Sequence, residues 1–251
     1  MVVMICLFDV NYSFTFNYLE TMPNHIQNRI KITGSEELVK QVVDSLKGKY
    51  EDGTNRSVDF NTIKPMPKSL NLESGSEGDL AHNLLFGGSK AKYFPISTEE
   101  YQKRFREMSP EQRRRCVDLG LQYQENLENH GHTTWYNWST ANWGTKWNAY
   151  QNPDSRDTSD TLHFQTAWSS PVELIKQLSA KFPDVEIHLD YADEDSGCNT
   201  GQLLFKSGST LSANMPENGS REGYDLYFEL HPDRKEDYVL VGDTYVWKDN
   251  D

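Results

Sequence analysis

Cysteine is scarce in this chain: Cys6, Cys116 and Cys198 are the only three in 251 residues, separated by 110 and 82 positions. That spacing excludes CxxC pairs and iron–sulfur or zinc ligand patterns. An odd, sparse set fits reduced thiols in a cytoplasm rather than a disulfide framework. Long apolar runs are also missing. None approaches the ~18 residues of a spanning helix, so no membrane segment is expected. Basic residues are in deficit, 25 against 38 acidic, for a formal charge of −13. Such a balance opposes an extended nucleic-acid-binding surface. The deficit is concentrated: residues 1–160 carry a net −3 and residues 161–251 a net −10. Catalytic signatures are absent too: there is no GxSxG, Walker loop, HExxH or helix-opening GxGxxG. An enzyme reading would therefore need a cavity with converging titratable groups.

What is present is enough to build a core. Hydrophobic residues make up 36% and aromatics 12%, which excludes global disorder. The apolar stretch Val2 to Phe8 does not read as a secretory signal, because no Lys or Arg precedes Arg29 and Asp9 ends the run. Residues 1–21 read as a dispensable extension ahead of a second start at Met22.

From residue 22 to 67 the pattern is strand, helix, strand. Ile26, Ile30 and Ile32 share a strand face. Leu38, Val39, Val42, Val43 and Leu46 recur at helical spacing, and Gly48 is placed to stop the helix. Val58, Phe60 and Ile63 have strand-like spacing, ended by Pro65 and Pro67. Residues 68–132 read as a loop and helical insertion: Leu72 to Gly88 as loop, then two helices opened by the capping boxes Ser97/Glu100 and Ser109/Gln112. The arginine triplet 113–115 on the second helix reads as a solvated face.

From residue 133 to 251 a second unit follows, packing with 22–67. Leu162, Phe164 and Thr166 alternate as a strand. Ser170/Glu173 form a third capping box, opening a helix with Leu174, Ile175, Leu178 and Phe182 on one face. Val185, Ile187 and Leu189 return as a strand. Leu203 and Phe205 suggest another strand ending at Gly208, Glu222 to Leu230 a short helix, and Tyr238 to Trp247 a last strand. Two separated strand-helix-strand units predict an α+β fold of ferredoxin-like, split βαβ topology. It would have an antiparallel sheet with helices on one face and a helical insertion.

The most unusual stretch is aromatic: Trp135, Trp138, Trp143 and Trp147 fall within 13 residues. Core packing is favoured for Trp143, Trp147 and Trp168. Gly144 suggests a bend, from which Thr145 and Lys146 would project. The segment Trp143, Gly144, Thr145, Lys146, Trp147 is thus the candidate binding site, since aromatics give large contact area at low entropic cost. No metal site is expected. His130 and His132 lack a third ligand, and Asp190, Asp193, Glu194 and Asp195 lack the glycine and terminal glutamate of a calcium loop.

Four segments, Met22-Pro-Asn-His-Ile-Gln-Asn-Arg-Ile-Lys-Ile-Thr-Gly34, Phe60-Asn-Thr-Ile-Lys-Pro-Met-Pro67, Asn142-Trp-Gly-Thr-Lys-Trp-Asn148 and Phe164-Gln-Thr-Ala-Trp-Ser-Ser-Pro171, occur in this order. Together they resemble the YubB-like proteins of phages, prophages and conjugative plasmids. Where that pattern has Trp and Cys after Met-Pro-Asn, this sequence has His25 and Ile26. The resemblance implies a ferredoxin-like domain beside one of unknown function, in a cytoplasmic protein of mobile DNA in a bacterial host, and brings no established activity; no cofactor is expected. With the charge pattern, it gives the expectation of a non-enzymatic module that binds a host or element protein. The alternatives are a single-stranded nucleic-acid module, with Arg113–Arg115 and Lys146 supplying charge, and an enzyme on a small molecule.

Overall fold

The computed structural model describes residues 23–87 and 98–248. The expected 1–21 extension, Cys6 and the Ser97 cap lie outside the described residues. Strand β1 (His25–Thr33) buries Ile26, Ile30 and Ile32, as the alternation requires. Ser35 then caps helix α1 (Glu36–Leu46) by accepting from the Leu38 amide, and the helix buries Val39, Val42, Val43 and Leu46. A small hairpin of β2 (Gly48–Lys49) and β3 (Asn55–Arg56) leads into the four-residue helix α2 (Phe60–Ile63).

That last element corrects the sequence reading. Val58, Phe60 and Ile63 are buried, but not in a strand. Asp59 Oδ1 accepts from the Asn61 amide at 2.9 Å and Asn148 Oδ1 from the Phe60 amide at 2.9 Å, so local side chains take the donors a sheet ladder would use. A second correction concerns 72–88, expected as loop, where helix α3 (Ser76–Phe86) forms. Its stabilising contact is tertiary. Gly120 lets α3 approach so closely that an added Cβ would lie 2.9 Å from the Ala81 carbonyl. Helices α4 (Thr98–Glu107) and α5 (Pro110–His130) follow, the latter with the Ser109/Gln112 capping box formed in full. Next comes α6 (Trp135–Asn142).

The second half supplies β4 (Thr161–Ala167), α7 (Val172–Lys181), β5 (Glu186–Asp193), β6 (Gly201–Lys206), β7 (Ser209–Asn214) and α8 (Arg221–Leu230). It ends in the hairpin β8 (Tyr238–Val241) and β9 (Thr244–Trp247). The five-stranded sheet has order β4-β1-β5-β6-β7, with each neighbouring pair antiparallel. β4 and β5 therefore run the same way with β1 between them: a split βαβ, crossed over by α7. Strand β7 was not anticipated; Ser207 and Gly208, both at positive φ, make a tight hairpin turn. The single strand expected over 238–247 is a hairpin turned at Gly242, φ 63°. The Ser170/Glu173 capping box does not form, since α7 begins without a side-chain cap. The Ser170 hydroxyl instead donates to Asn28 Oδ1 at 2.7 Å.

One face of the sheet is the main core. Ile26, Ile30, Phe164, Ile187, Leu189 and Phe205 meet α1, α7, the 60–63 turn and the rings of Trp138 and Trp143. The other face is polar along a single register row, His163, Arg29, Asp190 and Gln202 across four strands. Arg29 bonds Asp190 (2.9 and 2.8 Å) and Glu229 of α8 (3.0 Å). α8 covers part of this face, gathering Ala192, Tyr227, Phe228 and Leu230, with Tyr238 and Tyr245 of the hairpin against them.

His231 closes α8 and stacks on Tyr227 at 4.5 Å between centroids. Burial, with Arg156 and Arg234 nearby, pushes its pKa below the ordinary value. The unfolded chain therefore takes the proton first, and stability is lost as pH falls through about 6.5. We expect urea midpoints to drop between pH 7.5 and 5.5, and His231→Phe to flatten that slope. An unchanged slope in the variant assigns the acid sensitivity to other groups.

Candidate binding surface

The Trp-Gly-Thr-Lys-Trp segment runs from the end of α6 to the free edge of β4. Trp143 is core, as expected. It is 3% exposed, meets Trp138 edge-to-face at 5.2 Å and Phe60 at 5.8 Å, and donates Nε1–H to the Lys64 carbonyl at 2.9 Å. Gly144 makes the expected bend at φ 77°. Beyond it the expectation fails. Thr145 and Lys146 do not project; they are 1% and 8% exposed. The reason is the unpaired edge of β4. Thr145 Oγ1 donates to the Ala167 carbonyl (2.8 Å) and accepts from its amide (3.2 Å), standing in for a ladder partner. Tyr150 then pairs with Gln165 through both backbone groups, at 3.0 and 2.8 Å. Residues 145–150 thus seal the edge that β4 would otherwise leave open.

Lys146 is folded beneath two indoles, its Nζ 4.4 Å from the Trp147 ring centre and 4.8 Å from that of Trp168. Trp168, expected in the core, is 39% exposed. Its backbone sits at φ 70°, a left-handed conformation costly for a bulky residue. The turn is pinned on each side: the Trp168 amide donates to the Asn24 carbonyl at 2.9 Å and the Ser169 hydroxyl to the Gly144 carbonyl. Tyr136 meets the Trp168 ring edge-on at 6.3 Å. An exposed aromatic is thereby held rigidly, with a cation on its inner face.

The same Asn24 that pins this turn is tied to an acidic loop. Asn24 Nδ2 donates to Asp193 Oδ1 and Asp195 Oδ2, each at 3.0 Å, and the Glu194 amide to the His25 carbonyl at 2.9 Å. Glu194 and Asp195 are exposed. Nearby Tyr150, whose hydroxyl meets His25 Nδ1 at 2.5 Å and donates to the Thr166 carbonyl, has its pKa pushed up to about 12 by burial and then by the charge of Glu194. It stays a neutral hydroxyl at ordinary pH.

Asp193 is consumed internally, accepting from Asn24, the Asp195 amide and Asn199. No group of metal-ligating side chains occurs among the described residues. His130 contacts the Ser69 hydroxyl at 3.1 Å. Arg113–Arg115 are exposed on α5, far along the chain from this surface. Burial raises the pKa of both Cys116 and Cys198, so neither is an activated thiol. Among the described residues, no helix is long and apolar enough to cross a membrane.

With β4, β5, β6 and α7 placed, the segment can be compared with known proteins. Residues 146–231 form a ferredoxin-like domain. The family model matched over that range is the ferredoxin-like domain in Api92-like protein. No curated protein matches the chain. The crystal structure of protein api92 from Yersinia pseudotuberculosis aligns with 78% of this chain and 99% of its own, at 14% identity and a TM-score of 0.34. The ferredoxin-like domain starts at Lys146 itself and holds Trp168 and the acidic loop. Its sheet is completed by β1, which lies between β4 and β5 and outside the matched range.

Sequence reasoning reached this region through its tryptophans but assigned the wrong side chains to the surface. The available signal was Trp168-Ser-Ser-Pro171, a large aromatic just past a strand end in a turn-forming context.

Proposed function

We propose that this chain is an accessory protein of a phage, prophage or plasmid. It acts in the cytoplasm of a bacterial host as a non-enzymatic module that binds a basic segment of a host or element protein. The observation that carries this reading is Trp168: exposed, pinned at positive φ and backed by Lys146. Rigid aromatics of this kind are typical interface anchors. The net −10 over residues 161–251 adds long-range attraction for a cationic partner. Support for the mobile-element origin is the order of the four resembling segments. Single-stranded nucleic acid fits less well, because Lys146 is buried between rings and residues 161–251 carry a net −10.

The test is a tagged pull-down from bacterial lysate, with nuclease and at two salt concentrations. A basic protein is expected to survive nuclease and to weaken with salt, since the Debye length is ~8 Å at 0.15 M. Trp168→Ala is expected to reduce its recovery at least tenfold, in line with a loss of about 2 kcal/mol for an anchor residue. Recovery of nucleic acid, or equal capture by Trp168→Ala, would overturn the reading.

A further inference from the structure

The polar face of the sheet carries a second feature, independent of Trp168. A cleft of about 800 Å3 opens over Gln27 of β1 and Gln165 of β4, walled by the Tyr50–Thr54 turn and by residues 150–156. We infer that this cleft binds a neutral, hydroxyl-rich small molecule of the saccharide class.

The volume lies within the roughly 300–1,000 Å3 range of small-molecule sites. Its chemistry narrows the ligand. Gln27, Gln151, Asn152 and Gln165 put four carboxamides around one space. Gln27 is already engaged, donating Nε2 to the Asn28 and Phe164 carbonyls (3.3 and 3.4 Å) and accepting from Gln165 Nε2 (3.5 Å), which leaves the Gln151 carboxamide and Gln165 Oε1 as the groups open to hydroxyls, which likewise donate and accept. Charge points away from an anion. The one guanidinium in the wall, Arg156, already donates Nε and Nη2 to Asp154 at 2.9 and 2.8 Å and Nη1 to the Leu230 carbonyl at 3.1 Å. Those bonds hold the Asp154 carboxyl ionised, with a pKa of about 2. Asp52 accepts from the amide and hydroxyl of Thr54. A phosphate or carboxylate entering the cleft would meet two carboxylates and no free cation in its wall.

Asn152 gives the second observation. It is 5% exposed, and its Oδ1 is fixed by the amides of Ser57 (2.8 Å) and Val58 (3.1 Å). That orientation is set by two donors, and it leaves Nδ2 buried with no hydrogen-bond partner. An unpaired buried donor is costly, and a ligand oxygen that reached it through a small shift of the wall would remove that cost. Gln151 beside it stands at φ 51°, again an unfavoured conformation for a non-glycine residue.

The experiment uses the full chain labelled with 15N. Maltotriose, lactose and N,N′-diacetylchitobiose are the neutral saccharide probes; adenosine and glucose 6-phosphate are the comparison arms. A neutral saccharide is expected to give saturable, millimolar binding and to shift the Asn152 side-chain amide resonances. Gln165→Leu, and separately Gln151→Gly, are expected to weaken binding at least tenfold. Gln151→Gly suits the positive φ and keeps the fold intact, so a loss there reports on the ligand. No saturable shift with any of the three sugars would overturn the inference. So would preference for adenosine or the sugar phosphate, or binding indifferent to both substitutions. Trp168→Ala is expected to leave sugar binding unchanged, which separates this site from the protein-binding surface.

Discussion

Trp143→Ala is expected to lower the unfolding free energy by about 3–5 kcal/mol, the range for removing a large buried aromatic. The ring is 3% exposed and joins three elements: Trp138 of α6, Phe60 of the 60–63 turn, and through Nε1 the Lys64 carbonyl. Its removal would open a cavity between the sheet-facing core and the segment that leads to β4, and strand the Lys64 carbonyl. Trp168→Ala, by contrast, deletes a ring that is 39% exposed and relieves none of the core contacts. Its cost should stay within about 1 kcal/mol. Urea denaturation of the two variants checks the pair. A Trp143 variant as stable as the parent would contradict the packing described.

Asn28→Leu is the second large effect, expected at about 3 kcal/mol. Asn28 is fully buried on the core face of β1. Its Nδ2 donates to the Ile26 carbonyl (3.0 Å) and Thr166 Oγ1 (2.9 Å), and its Oδ1 accepts from Ser170 Oγ (2.7 Å). Leucine fits the volume but leaves the Ser170 hydroxyl without an acceptor in a buried site, and groups so orphaned cost about 1–3 kcal/mol each. The network ties β1 to β4 and to the start of α7, which lacks a side-chain cap of its own. Ser170→Ala should cost less, and the double variant should recover part of the loss, giving a coupling of about 0.5–3 kcal/mol in a mutant cycle. Strict additivity would show that the two side chains act independently.

These two positions also show what was legible in the sequence. The face Ile26–Ile30–Ile32, the stripes of α1 and α7, and the Ser109 capping box follow directly from period and local chemistry. So does the split βαβ of β4, α7 and β5, matched independently as a ferredoxin-like domain. Misreadings fall where tertiary contacts outweigh local pattern. Val58-Phe60-Ile63 alternates like a strand, but Asp59 and Asn148 take its backbone donors. Ser170 has capping-box spacing, but Asn28 on a distant strand captures its hydroxyl. Helix α3 lies within the stretch 72–88, whose glycines, serines and asparagine read as loop, and it depends on Gly120 of α5 for its seat.

The candidate surface followed the same rule. A local bend at Gly144 was correctly anticipated, yet the open edge of β4 drew Thr145 and Lys146 inward and left Trp168 outside. The cleft over Gln27 and Gln165 gave no sequence signal. Its walls come from residues near 27, 50–54, 150–156 and 165, which only the sheet register brings together.

The central claim is that Trp168 marks the face on which a basic protein partner docks. The most direct measurement replaces Trp168 with a photo-crosslinking amino acid in the full chain, with Leu211, exposed on β7, as the control position. After irradiation in bacterial lysate, the account predicts one dominant adduct at position 168. That adduct would be a basic protein, resistant to nuclease, lost at high salt and absent from position 211. An adduct to nucleic acid, or the same protein captured equally from both positions, would contradict it.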